Sequence, residues 1–168
     1  MISAILLAAG QSQRMKGQNK LLKKYKGKYL INHILNTLVK SKVNNIFLVL
    51  GFQNLKVRKI IIKSKKIRCI YNKKYKSGLS SSIQAGLNKI SKKNMGFLIV
   101  HADMPLISKG IINILCSAVK NKDKEIFVPV HKNKLGNPLA FKYSMIKSLK
   151  KIKGDRGAKK LVKSHKSK

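Results

Sequence analysis

Three side chains carry most of the chemistry that can be read from this chain: Asp103, Arg14 and Lys20. Asp103 follows the apolar run Phe97–His101 and precedes Met104-Pro105, so its carboxylate is expected at a strand end, held by a stiff turn. A lone carboxylate there is a hard oxygen donor that suits Mg²⁺, with phosphate oxygens and waters filling the other positions. Arg14, Lys16 and Lys20 lie within ten residues of Gly10, and no acidic residue precedes Asp103. They follow Leu7-Ala8-Ala9-Gly10, where small side chains let a ligand approach the backbone and its N–H groups. Fixed cations beside such a turn suit a triphosphate and can stabilise charge that builds during phosphoryl transfer. The plainer alternatives are an ordinary loop in a lysine-rich protein and an aspartate that caps a turn or the helix near Ser108.

Three further segments contain polar residues at element boundaries. GLSSSIQAGL at 78–87 opens with Gly78 and a serine cluster and then becomes helical. Ser80, Ser81 and Ser82 can cap that helix and leave N–H groups for an anion or a ribose. Gly136-Asn137-Pro138 begins a strand at a position where proline is tolerated. Gly154-Asp155-Arg156-Gly157 opens a helix with Asp155 as its expected N-cap and Lys159 and Lys160 following, a favourable place for a phosphate. His101 reads as a strand-end residue rather than a base. No Ser/His/Asp or Cys/His constellation, HExxH or Walker loop is present.

The elements that must position these residues alternate between strand and helix. Strands are expected at Ile2–Ala8, Ile46–Leu50, Ile67–Tyr71, Phe97–His101, Ile126–Val130 and Leu139–Lys142, and helices at Tyr29–Lys42, Leu55–Ile62, Ser80–Ile90 and Lys109–Val119. This order predicts a single α/β domain over 1–168, with a mostly parallel sheet flanked by helices and a basic tail, 163–168, that frays. In such sheets ligands collect beyond the carboxyl ends of strands, and Gly10, Asn72 and Asp103 all follow strands. The 168 residues suffice to bury roughly two thirds of the unfolded surface. No run is long enough to span a membrane and no secretory leader is evident, so a cytoplasmic location is expected. Cys69 and Cys116 lie in apolar stretches, as buried thiols do. The formal charge is +35, from 35 lysines and 4 arginines against 4 acids. The lysines are spread along the whole chain and arginine is scarce, so solvated faces and only non-specific, salt-sensitive binding to nucleic acid are expected.

Residues 6–22, LLAAGQSQRMKGQNKLL, resemble the LAAGxSxRMGGxxKLL motif of the molybdenum cofactor cytidylyltransferase group of nucleotidyltransferases. GLSSSIQAGL, DMPLI at 103–107, GNPLAF at 136–141 and GDRGAKKLV at 154–162 match further blocks in the same order. The resemblance implies a nucleotide-diphospho-sugar transferase-like fold and a Mg²⁺-dependent transfer of CMP from CTP to an organic phosphate such as molybdopterin, with release of pyrophosphate. It assigns catalysis to Arg14, Lys20 and Asp103, with Asp103 as metal ligand. Nucleotide contacts fall to Leu7, Ala8, Ala9, Gly10, Lys20, Asn72, Ser80 and Ser81, and acceptor contacts to Asn137, Pro138 and Asp155. LAAG rather than LAGG leans toward the cytidylyl branch. Two departures stand out: Lys16 replaces the first glycine of the usual GG pair, and the acidic segment that typically follows the GDxGA block is not seen before Lys168. The second motivates an alternative, a molybdenum cofactor-binding chaperone that delivers to a molybdoenzyme. Another nucleotidyltransferase of sugar phosphates is a further one.

Overall fold

β-Branched and leucine-rich segments with no charge inside them form the centre of the structure, a computed structural model that describes residues 1–12, 15, 17–154, 157–159 and 161–162. The elements run β1 (Ile2–Ala8), β2 (Lys24–Tyr25), β3 (Lys28–Tyr29), α1 (Leu30–Val39), β4 (Asn45–Leu50), α2 (Asn54–Ile60), β5 (Ile67–Tyr71), α3 (Leu79–Leu87), β6 (Gly96–His101), α4 (Lys109–Ala118), β7 (Ile126–Phe127), β8 (Val130–His131), β9 (Lys134–Leu135), β10 (Leu139–Lys142) and α5 (Ile146–Lys150). Six strands form one sheet in the order β5-β4-β1-β6-β10-β7. β5, β4, β1 and β6 are parallel, β10 is antiparallel to β6, and β7 is antiparallel to β10. The expected single-domain α/β architecture with a mostly parallel sheet is therefore what the chain adopts.

Both faces of the sheet are covered, which is why its central strands are apolar throughout. Alternate residues divide between two cores, as the two-residue period of a strand requires. Ala4, Leu6 and Ala8 of β1 pack with Ile31, Ile34, Leu35 and Leu38 of α1 and Ile112, Leu115 and Cys116 of α4. Ile5 and Leu7 pack on the other face with Ile83 and Leu87 of α3, Phe141 of β10 and Leu149 of α5. Helix α3 lies so close to β1 that a Cβ built on Gly86 would sit 2.3 Å from Cγ2 of Ile5. Gly86→Ala is expected to force the helix off the strand, at about 1–3 kcal/mol. That corresponds to a melting temperature lower by about 3–10 °C, and calorimetry showing no shift would contradict this packing.

Two expectations are corrected. Residues 126–130 do not form one strand: Pro129, which has no N–H to give the ladder, separates β7 from β8. Tyr29 belongs to a short hairpin rather than to α1. Lys26 and Gly27 (φ 45° and 77°) form its tight turn, with both central residues left-handed, and Lys132 and Asn133 (φ 46° and 58°) do the same between β8 and β9. The basic tail 163–168 lies outside the described residues. Among the described residues, no helix is long and apolar enough to cross a membrane.

Candidate active site

β1 is the point at which strand order reverses: β4 and β5 lie to one side of it and β6 to the other. The segments that leave β1 and β6 start side by side at the carboxyl ends of these paired strands, where ligands of open α/β sheets collect. The register brings Leu7 opposite His101, and the Ala102 N–H donates to the Leu7 carbonyl at 3.0 Å, extending the pairing past the end of β6. The Ala8-Ala9-Gly10 turn and Asp103 are thus neighbours by construction. A cleft of about 460 Å³ opens there, within the range of small-molecule sites. It is lined by Leu7 to Ser12, Lys20 and Leu21, by Tyr75, Lys76, Gly78, Leu79 and Ser82 beyond β5, and by His101 to Asp103.

Lys20 is placed by a buried asparagine. Asn19 accepts from the Leu21 N–H at 3.0 Å, capping the 3₁₀ turn Lys20–Leu22, and its amide donates to the Phe52 carbonyl at 3.0 Å. The Lys20 N–H donates to the Ser12 hydroxyl at 3.2 Å. So fixed, Lys20 extends its ammonium to the Asp103 carboxylate, the single salt bridge among the described residues. The side chains are 44% and 37% exposed, so the pair faces the cleft and is open to exchange with a ligand. Burial pushes the Asp103 carboxyl up, but the hydrogen bond and charge of Lys20, with smaller help from its own backbone and His101, hold it below the usual carboxylate range. Burial pushes His101 down, and Lys159 and Lys20 add to this while Asp103 opposes it. His101 is thus kept neutral at physiological pH. Asp103 does not cap α4: Ser108 does, accepting from the Ile111 N–H at 3.3 Å.

The wall beyond β5 is built differently from the sequence expectation. The residue before α3 is Gly78 (φ 97°), which has no side chain to cap with, and the serines do not cap either. Ser81 Oγ lies 2.8 Å from the carbonyls of both Lys74 and Gly78, within the loop. Asn72 is 6% exposed and holds the loop: its amide donates to Ser81 and Ser82 at 2.9 and 3.1 Å, and its oxygen accepts from the Lys74 N–H at 3.0 Å. Ser82, not Ser80 or Ser81, lines the cleft. Gly51 supports the wall from behind, since a Cβ there would lie 2.6 Å from Cβ of Tyr75 and 2.8 Å from that of Ala9.

The structure therefore gathers Leu7, Ala8, Ala9, Gly10, Lys20 and Asp103 around one cleft and sets Asn72, Ser80 and Ser81 behind its wall. Asn137 and Pro138 precede β10, joined by a cis peptide bond, and do not line it. Arg14 and Asp155 lie outside the described residues. Sequence reasoning missed Asn19, Tyr75 and Lys76, and named Ser82 only within the serine cluster expected to cap α3. Only Asn19 left a signal, an asparagine directly before a helical turn. As for a metal, no group of three or more His, Cys, Asp or Glu side chains occurs among the described residues. An exposed carboxylate as the one acidic donor fits a hard divalent cation that completes its shell with phosphate oxygens and water.

The profile of the MobA-like NTP transferase domain matches residues 4–168. The chain belongs to this family. It is 32% identical over 151 residues to a "Probable molybdenum cofactor guanylyltransferase" of Clostridium perfringens, covering 89% of this chain and 68% of that protein. It is 30% identical over 146 residues to an "Adenosylcobinamide-phosphate guanylyltransferase" of Methanocaldococcus jannaschii, covering 82% and 72%. Rv0371c of Mycobacterium tuberculosis shares the fold at a TM-score of 0.85 and 22% identity, covering 96% of this chain and 82% of that one. A manganese complex of the same mycobacterial protein superposes at 0.79, with 20% identity and the same coverage. This MobA-like chain is thus a nucleotidyltransferase by family, and its cleft lies where the sheet's topology reverses.

Proposed function

We propose that the protein transfers a nucleoside monophosphate from CTP to the phosphate of an organic acceptor of the molybdopterin kind, with a divalent cation, Mg²⁺ or Mn²⁺, at Asp103. The observation that carries this reading is the meeting of Lys20, Asp103 and the Ala8–Gly10 turn at one cleft edge. In the step itself, an acceptor phosphate oxygen bonds to the α-phosphorus. The bond from that phosphorus to the bridging β-oxygen breaks, and pyrophosphate leaves with the electron pair. The attacking oxygen is already anionic, so no strong base is needed, in keeping with a His101 held neutral and an Asp103 occupied by charge. Positioning and fixed positive charge supply the rate. Lys20 would follow the triphosphate, leaving the Asp103 carboxylate to the cation, whose chemistry is to neutralise phosphate charge.

The choice of CTP rests on the donors and acceptors of the cleft together with the LAAG turn. Guanine presents N1–H and N2–H₂ donors beside its O6 and N7 acceptors, whereas cytosine presents O2 and N3 acceptors and the single donor group N4–H₂, so it asks less of protein acceptors. Among the described cleft residues Asp103 is the sole carboxylate, and it faces Lys20, while Lys76 on the Tyr75–Leu79 wall is a donor. A GTP donor is the second reading, favoured by the names of the two guanylyltransferase relatives, and both of those names specify acceptors of cofactor size.

A thermal-shift panel of CTP, GTP, UTP and ATP with Mg²⁺, followed by pyrophosphate release with molybdopterin, tests both parts. At a hundredfold excess over Kd the preferred nucleotide stabilises by about 2.7 kcal/mol, raising the melting temperature by about 5–10 °C. CTP is expected to give the largest shift. A larger one with GTP reverses the base assignment, and no shift with any nucleotide removes the enzymatic reading. Pterin binding without pyrophosphate release would favour a chaperone.

A further inference from the structure

We infer that the ring of Tyr75 is the platform on which the nucleobase stacks, a binding role that deepens the transferase reading above and rests on it. The cleft has two chemically different ends. Asp103, with Lys20 paired to it, follows β6 on one side of β1. Tyr75 follows β5 and meets the end of β4 at Gly51, on the other side of β1. There Tyr75 and Leu79 line the cleft and pack against the core that includes Ala9 and Val49, so this end is apolar. The ends of β4 and β6 lie two strand spacings apart, about 10 Å, comparable to the reach from a base through its ribose to the phosphates. A nucleoside triphosphate has the same division, a flat ring at one end and charge at the other.

Among the described residues that line the cleft, Tyr75 has the only benzenoid ring. The imidazole of His101 stands at the charged end, two residues before Asp103. The ring of Tyr75 is rooted on both sides. Its N–H donates to the Asn72 carbonyl at 3.2 Å, and Asn72 is itself tied to Ser81 and Ser82. Behind it, the space left by Gly51 is filled by the root of the ring, since a Cβ at 51 would lie 2.6 and 2.7 Å from Cβ and Cγ of Tyr75. A ring held in this way costs little further ordering when a ligand covers it. Every base has a π face, so a stack of this kind adds affinity and leaves the choice of base to polar groups.

The test uses the full chain with Mg²⁺ and compares CTP with inorganic tripolyphosphate, which has the charge without the base. In titration calorimetry Tyr75→Leu is expected to bind CTP about tenfold more weakly, the loss of one base–aromatic stack. Any other nucleoside triphosphate that wild type binds should weaken by a similar factor. Tyr75→Phe keeps the wild-type affinity, and tripolyphosphate binds all three proteins alike. The chain contains no tryptophan, so Tyr75→Trp puts a single reporter at the wall. CTP is expected to quench its emission, and tripolyphosphate to leave it unchanged. Equal CTP affinity in wild type and Tyr75→Leu overturns the platform. So does an equal loss of CTP and tripolyphosphate, which would make Tyr75 a structural part of the wall, and so does a loss confined to one base. Should Tyr75→Leu not fold, the Tyr75→Trp emission decides, and emission blind to saturating CTP overturns the assignment. Wild type that binds CTP no more tightly than tripolyphosphate overturns the platform and leaves a phosphate-binding cleft. Wild type that binds neither removes the transferase reading and the platform with it.

Discussion

Asp103→Asn is expected to lower kcat by about 10²–10³ or more while leaving the fold intact. The amide keeps the size of the carboxylate but loses the charge that would hold a cation, and it can no longer pair with Lys20. Because the side chain is at the cleft rather than in the core and does not cap α4, the melting temperature without ligand should move little. The metal-dependent part of the CTP shift should disappear, and the part owed to the Lys20 ammonium should remain. Salt-sensitive binding to nucleic acid, owed to the formal +35 charge, should be untouched. Retained turnover in Asp103→Asn would remove this residue from the chemistry.

Lys20→Met carries the second large effect, a fall in kcat of about 10²–10³, the usual loss for one preorganised charge-stabilising group. It carries a second readout that a mere loss of structure would not give. With the ammonium gone, burial dominates at Asp103 and its carboxyl should titrate higher, and His101, relieved of one repelling cation, should also move up. The depressed carboxyl sets the sign for stability. In wild type the pair stabilises above the ordinary carboxylate range, and the benefit is lost as pH falls through the lower native value. The gap between wild type and Lys20→Met should therefore be widest at neutral pH and close in acid. It should be small throughout, because both side chains are more than a third exposed to screening water. Denaturation at a series of pH values, with NMR titration of the two groups, measures both parts. A gap that widens in acid would contradict this account of the pair.

The sheet and the cleft edge are legible in the sequence because both depend on long apolar runs and on the residues that end them. The bounds of β1, β5 and β10 agree with the sequence expectation, since each is an uninterrupted or nearly uninterrupted apolar run closed by a small residue, an asparagine or a lysine. The convergence of Gly10 and Asp103 comes from element order alone. Short-range features are not legible in the same way. The hairpin of β2 and β3 depends on Lys26 taking a left-handed conformation, which lysine seldom does and composition does not announce. The break at Pro129 is visible in the sequence, and a proline inside an apolar run is reason enough to end β7 before it. The wall beyond β5 is misread because three consecutive serines look like caps. The Ser81 hydroxyl instead turns back into the loop, and Ser81 and Ser82 both meet Asn72, a choice that only packing decides.

Asn72 also bears on how tightly a ligand can be held. Every polar atom of its side chain is already satisfied within the protein, so the Lys74–Ser82 wall has its shape before any nucleotide arrives. The entropy of ordering that wall is spent when the chain folds and is not subtracted again from binding. Ligands should therefore associate with a preformed face at little conformational cost. An Asn72→Ala protein, whose wall must be organised anew by each incoming molecule, should be slower to load and quicker to empty.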